Sequence, residues 1–204
     1  MKQLILAMTF VVLVGAPLDS ARAESPPGGD SKPAVAENRI DSGDTAWMIV
    51  ATGLVLLMVP GLALFYGGMV RPKNVLGTMM QSMVALSLIG LQWVLFGYAL
   101  VFGASQGGFV GWSMDYLGLQ GILSNQPFPG TKIPIYAHCM YQGMFAIITP
   151  ALISGAIAER IRFGPYCLFI LLWAVLVYDP LAHWLWAVDG EGNPAGWLGK
   201  EVVP

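Results

Sequence analysis

The sequence predicts an all-α membrane protein: a cleavable signal peptide followed by four transmembrane helices. Three observations carry this. Of 204 residues, 56% are hydrophobic and only 11% charged, against about 25% charged in a soluble domain. Four apolar stretches each reach the roughly 20 residues that cross a hydrocarbon core of about 30 Å. Two short turns carrying Lys and Arg alternate with a long Gly-rich loop, as expected of helices that cross back and forth. The net charge of −2 leaves no basic footprint for nucleic acid, and no RNA- or DNA-binding motif is present.

Residues 1–23 read as the signal peptide. Lys2 opens it, residues 4–14 form an apolar run too short to span, and Ala21-Arg22-Ala23 has the small-x-small form of a cleavage site. Residues 24–44, rich in Pro, Gly, Ser and acids, cannot bury enough apolar surface to fold alone and read as a solvated, exported tail. The membrane domain covers residues 45–204, with helices over about 46–70, 75–102, 133–158 and 163–188. Asp44 and Thr45 are candidate caps for the first helix, and Pro60-Gly61 interrupts its middle. Residues 103–132 form a Gly-rich, water-compatible loop.

The third helix organises the rest. Over residues 133–158 it carries no formal charge. At a 3.6-residue period it sets His138, Tyr141, Gln142, Phe145 and Thr149 on one side and Ala151, Ser154, Gly155 and Ala158 on the other. The small face suits close helix packing in lipid, where no hydrophobic drive brings helices together. The polar and aromatic face gains nothing from acyl chains and should line a bundle interior or a wet cavity. Pro150 cannot donate to the carbonyl of Ala146, which loosens the ladder one turn below Phe145. An ordinary core helix with an aromatic stripe remains open on this evidence.

Orientation follows from the cations. Arg71 and Lys73 lie after the first helix and Arg160 and Arg162 after the third, while the intervening loop has only Lys132, so the two short turns should be cytoplasmic. This agrees with an exported N-terminus. Cys139 and Cys167 then lie at different depths, beyond the roughly 7 Å that a disulfide tolerates, and read as small apolar fillers. Neither has metal-ligand spacing to His138 or His183, so no metal or cofactor is called. Asp179, an acid inside an apolar span, needs a partner or water. His183 four residues on is one candidate partner, and the backbone freed by Pro180 is the other. A proton or cation site at Asp179 stays open beside this structural reading. The two histidines themselves read as structural. No nucleophile elbow, zinc-protease helix or phosphate-binding loop appears, and Ser154 is placed at the opposite depth from both histidines, so an enzyme is not expected.

Three stretches supply what periodicity does not. GLALFYGGMVRPKN (residues 61–74), YQGMFAIITPALISGAIAERIRF (141–163) and YDPLAHWLW (178–186) resemble, in order and spacing, helices one, three and four of the ammonium transporter (Amt/Mep/Rh) family. The resemblance runs from about residue 44 to the end and implies an ammonium-transporter-type bundle. That fold is a homotrimer whose subunits each hold a pore between two inverted five-helix repeats, followed by a final helix. It implies ammonium or methylammonium as substrate, recruited at an outer aromatic site. Phe145 matches the outer gate, Tyr141 a second stacked aromatic, Gln142 its vestibule neighbour and Trp186 the recruitment-site tryptophan. A PII-type cytoplasmic regulator and the lipid bilayer are the other implied partners. An ammonium sensor signalling through a cytoplasmic partner is the alternative reading. The family's Asp-Phe-Ala-Gly-Gly run, paired pore histidines and recruitment serine belong to later helices, beyond Pro204. The expectation is therefore an N-terminal portion that transports nothing alone.

Overall fold

The computed structural model describes residues 40–122 and 125–202. The expected signal peptide and most of the tail lie outside the described residues. Among those described, four helical spans are long and apolar enough to cross a membrane: Ser42–Met69, Pro72–Phe102, Ile135–Ile157 and Phe163–Trp186.

Helix α1 (Ser42–Met69) is capped by Asp41, whose carboxylate accepts a hydrogen bond from the Asp44 N–H at 2.9 Å. This corrects the expected caps: Asp44 sits inside the first turn, and Thr45 returns its hydroxyl to the Asp41 carbonyl. The Asp41 N–H donates to the Lys132 carbonyl, joining the start of α1 to the loop that precedes the third span. Pro60 does not interrupt the helix, which runs unbroken through it. Only Val59, Ala63 and Gly67 are buried on α1, a narrow row four residues apart, and the other faces are open and apolar. Close approach follows from small size at this seam: a Cβ on Gly155 would lie 2.4 Å from the Tyr66 ring, whose hydroxyl donates to the Leu152 carbonyl.

A single 3₁₀ turn (Pro72–Asn74) leads into α2 (Val75–Gln92), then a π turn (Trp93–Gly97) and α3 (Tyr98–Phe102) complete the second span. Helix α4 (Ile135–Ile157) is the third span, with Pro150 inside it. The fourth repeats the second's plan: α5 (Phe163–Trp173), a π turn (Ala174–Tyr178), and α6 (Asp179–Trp186). It ends at Trp186, where Ala187 turns extended. Helices α1, α2 and α4 pack on one another and α5 packs on α2. The loop after α3 is more ordered than a plain Gly-rich connection. Ala104–Gln106 (β1) and Val110–Trp112 (β2) form an antiparallel hairpin, turned by Gly107 and Gly108 at φ 63° and 84°. Such a turn needs positive φ at both central positions, which glycine adopts without strain. A last short helix, α7 (Trp197–Val202), follows.

Candidate functional site

Glu159, after the third span, ties its turn to the turn after the first span at one end of the bundle. Its carboxylate accepts from the Arg71 N–H at 2.9 Å, from the Asn74 side-chain amide at 2.9 Å and from the Arg71 guanidinium at 3.3 Å. These bonds, that from Asn74 foremost, hold its carboxyl below the usual carboxylate range. They also accompany a left-handed backbone at Glu159, φ 63°, that a non-glycine residue adopts only at a cost.

At the other end lies the aromatic face of α4. Tyr141 and Phe145 meet edge to face, ring centroids 5.0 Å apart, and both are half-buried. The Phe145 carbonyl, close to the position that Pro150 loosens, accepts the Thr149 hydroxyl at 2.7 Å. Gln142 is half-buried and its side chain makes no hydrogen bond among the described residues. Trp186, the last residue of α6, is 46% exposed and pairs with no ring among the described residues. Of the four residues singled out in the sequence, the structure thus brings Tyr141 and Phe145 together and leaves Trp186 apart. Trp184, two residues earlier, is instead committed to the loops: its indole N–H donates to the Phe109 carbonyl at 2.7 Å.

His138 leaves the group in which helical periodicity placed it. Its ring stacks on Phe128 at 3.7 Å and meets the Phe102 edge at 4.7 Å, with Nδ1 3.3 Å from the Tyr98 hydroxyl. His183 is fully buried. Its Nδ1–H donates to the Val101 carbonyl at 2.7 Å and its Nε2 faces the Ser105 hydroxyl at 2.9 Å, which clamps α6 to α3 and to the hairpin. A ring with both nitrogens engaged has no coordination capacity left. Among the described residues no cluster of three or more His, Cys, Asp or Glu is placed to hold a metal ion, and both cysteines are free thiols.

His183 is therefore not the partner of Asp179. That carboxylate, 1% exposed, takes a hydrogen bond at 2.7 Å from the side-chain amide of Gln92, across from the second span. Both side chains face the second span but at different heights, Asp179 at Gln92 and His183 further along at Val101. The pair is only half satisfied: Asp179 Oδ1 and Gln92 Oε1 are buried without partners. Deeper toward the cationic end, the Ser82 and Ser154 hydroxyls join the second and third spans at 2.9 Å, and Ser154 also donates to its own helix at Ala151. Gln92, Ser82, Ser105 and Glu159 were not singled out from the sequence. For Gln92 a signal existed: an amide inside the run LSLIGLQWVLF must find a partner in lipid.

Apolar spans, polar pairs buried between them and a half-buried aromatic face at one end together define a polytopic helical membrane protein. Residues 46–202 match the model of the Ammonium Transporter Family, and the chain belongs to that family. It is 45% identical over 178 residues to an ammonium transporter of Mycobacterium bovis, covering 79% of this chain and 37% of that protein. It is 46% identical over 158 residues to the ammonium transporter of Bacillus subtilis, covering 78% and 37%. Among solved structures, Mep2 of Candida albicans superposes with a TM-score of 0.68 at 36% identity, over 80% of this chain and 34% of that one. A structure described as a sensor Amt protein shares the fold at 24% identity and a TM-score of 0.68. The chain spans 37% of the length of these two curated relatives.

Proposed function

We propose that this chain is the outer entrance and part of the pore wall of a protein that carries ammonium across the bacterial inner membrane. The observation that carries the reading is the Tyr141–Phe145 ring pair, half-buried on α4, with the Trp186 indole exposed at the end of α6. Aromatic faces attract a small cation by about 0.5–2 kcal/mol while repelling anions. Below the entrance a dry path favours the neutral species, so the cation gives up its proton before it crosses. In this reading Trp186 and Gln142 recruit, Phe145 gates and Tyr141 braces the gate. The N-terminus is exported, the Glu159 end of the bundle is cytoplasmic, and three copies assemble around the exposed face of α1.

The test is methylammonium uptake by the protein that carries this segment, in cells without other ammonium transporters. Trp186→Leu keeps apolar bulk and removes the ring quadrupole, so half-saturation should rise by the equivalent of about 0.5–2 kcal/mol. Unchanged concentration dependence would reduce Trp186 to an interfacial anchor. Residues 1–204 expressed alone should give no saturable uptake, because a pore between two repeats needs both to wall it. Saturable uptake by that segment would refute the shared-wall reading.

A further inference from the structure

The cationic end of the bundle holds a second site. A cavity of about 310 Å³ opens between the turn after the first span and the turn after the third, lined among others by Lys73, Thr78, Gln81, Arg160 and Arg162. Its one acid, Glu159, is already engaged by Arg71 and Asn74. Lys73, Arg160 and Arg162 form no ion pair among the described residues. The cavity therefore carries a positive charge that no ion pair among the described residues neutralises.

Two features show that it is built rather than a chance gathering of cations. Thr78 is 3% exposed, yet its hydroxyl has no hydrogen-bond partner among the described residues. A buried helical threonine ordinarily returns its hydroxyl to the preceding turn, and here it lines the cavity instead. Gln81, 6% exposed, fixes the wall by donating to the Ile161 carbonyl at 3.1 Å. In addition, α5 begins at the cavity without a side-chain cap. An uncapped first turn presents free N–H groups and the positive end of the helix dipole to an anion.

We infer that this cavity binds a phosphate group. Two guanidinium forks, an ammonium, a hydroxyl that can donate and one helix start place donors around the cavity, and phosphate accepts in several directions where a carboxylate offers one plane. The group can belong to the phosphodiester of an anionic lipid or to free inorganic phosphate. The cavity lies at the ends of the spans Ser42–Met69 and Ile135–Ile157, the depth of headgroups, so the lipid is the expected source.

Native mass spectrometry of the purified chain, its helical content checked by circular dichroism, tests this without recourse to transport. Phosphatidylglycerol, phosphatidylcholine and inorganic phosphate are offered separately and then in competition. Phosphatidylglycerol should be retained over phosphatidylcholine by about tenfold or more, the equivalent of one charge-assisted hydrogen bond. The double variant Arg160→Gln/Arg162→Gln should lose this preference and Thr78→Val should weaken it several-fold. Lys132→Gln, at the opposite end of α4, should leave it intact. Binding of phosphatidylglycerol that inorganic phosphate does not displace supports the site and makes the lipid its source. Binding of inorganic phosphate that displaces the lipid supports the site and makes the free ion its source. No preference over phosphatidylcholine together with no phosphate adduct would overturn the inference. So would a preference indifferent to both the arginine and the Thr78 variants.

Discussion

Breaking the Gln92–Asp179 pair from one side should cost more than removing it altogether. In Gln92→Leu the carboxylate loses its single donor at 2.7 Å and stays 1% exposed with nothing to accept from. In water-soluble cores a buried group so stranded costs about 1–3 kcal/mol, and more when charged. Between membrane helices the measured worth of such bonds is smaller, about 0.6 kcal/mol on average and 1.7 at most, because the unfolded chain also finds partners in lipid. The membrane figure governs here, so Gln92→Leu should destabilise by about 0.6–1.7 kcal/mol. The double variant Gln92→Leu/Asp179→Val should then recover to within about 0.5 kcal/mol of the parent, since a half-satisfied buried pair is little better than an apolar contact. Its unpartnered Oδ1 and Oε1 are what make the parent pair weak. Unfolding in mixed micelles, followed by tryptophan fluorescence against denaturing detergent, gives the three free energies. A double variant no more stable than Gln92→Leu alone would refute this, because the cost of that variant would then not come from the stranded carboxylate.

Two further perturbations read off other contacts. The Glu159 carboxyl sits below its ordinary value of 4.5, so the stability it lends is present above that value and is lost as pH falls through its lowered one. Protection of the Arg71 amide against hydrogen exchange, corrected for the intrinsic rate, should therefore fall in acid, and Glu159→Gln should flatten that dependence; flat protection in the parent would refute it. In the hairpin, a Cβ on Gly111 would lie 2.8 Å from the Gly103 and Leu100 carbonyls and from His183 Nδ1. Gly111→Ala should lower stability by about 1–3 kcal/mol, whereas Gly53→Ala, which meets nothing within 4 Å, should be neutral or slightly stabilising. Equal melting of the two variants would count against the close packing.

The spans were legible because each is apolar over a bilayer's thickness, and the family because its motifs sit in loop-proximal runs such as FYGGMVRPKN that periodicity cannot blur. The cationic turns were legible as a pair by charge, but not their clasp. Glu159 lies beside Arg160 in sequence and yet reaches Arg71 and Asn74, which only a left-handed backbone at its own position permits. The cap of α1 was misread because Asp44 and Thr45 stand next to the apolar run, while polar Ser42 and Gly43 hide that the helix begins earlier, at Asp41. The hairpin had its signal in Gly107-Gly108, but flanking strands of three residues are too short for an alternating pattern to show.

The two π turns account for the hardest misreadings, those of Asp179 and its surroundings. On α2 the buried row Thr78, Gln81, Ser82, Ala85, Ile89, Gln92 keeps a helical period that calls next for Phe96, yet Phe96 is half-buried and Gly97 is buried. The extra residue of the π turn shifts the register by one and rotates all of α3, which is how Tyr98, Ala99, Val101 and Phe102 come to be buried together. The fourth span does the same, stepping by four through Tyr166, Ile170, Ala174, Tyr178 and Ala182. Gln92 ends the helix before one π turn and Asp179 begins the helix after the other, so the polar pair joins the two spans where each changes register. A uniform 3.6-residue reading loses the register at those points, and with it the meeting of Asp179 and Gln92 across the two spans. With the extra residue counted, α6 turns both residues to the second span, Asp179 at Gln92 and His183 further along at Val101, beside Ser105 of the hairpin. A π turn opens a backbone hydrogen bond and survives where tertiary contacts compensate. Here those contacts are the Gln92 amide on one side and the His183 clamp on the other.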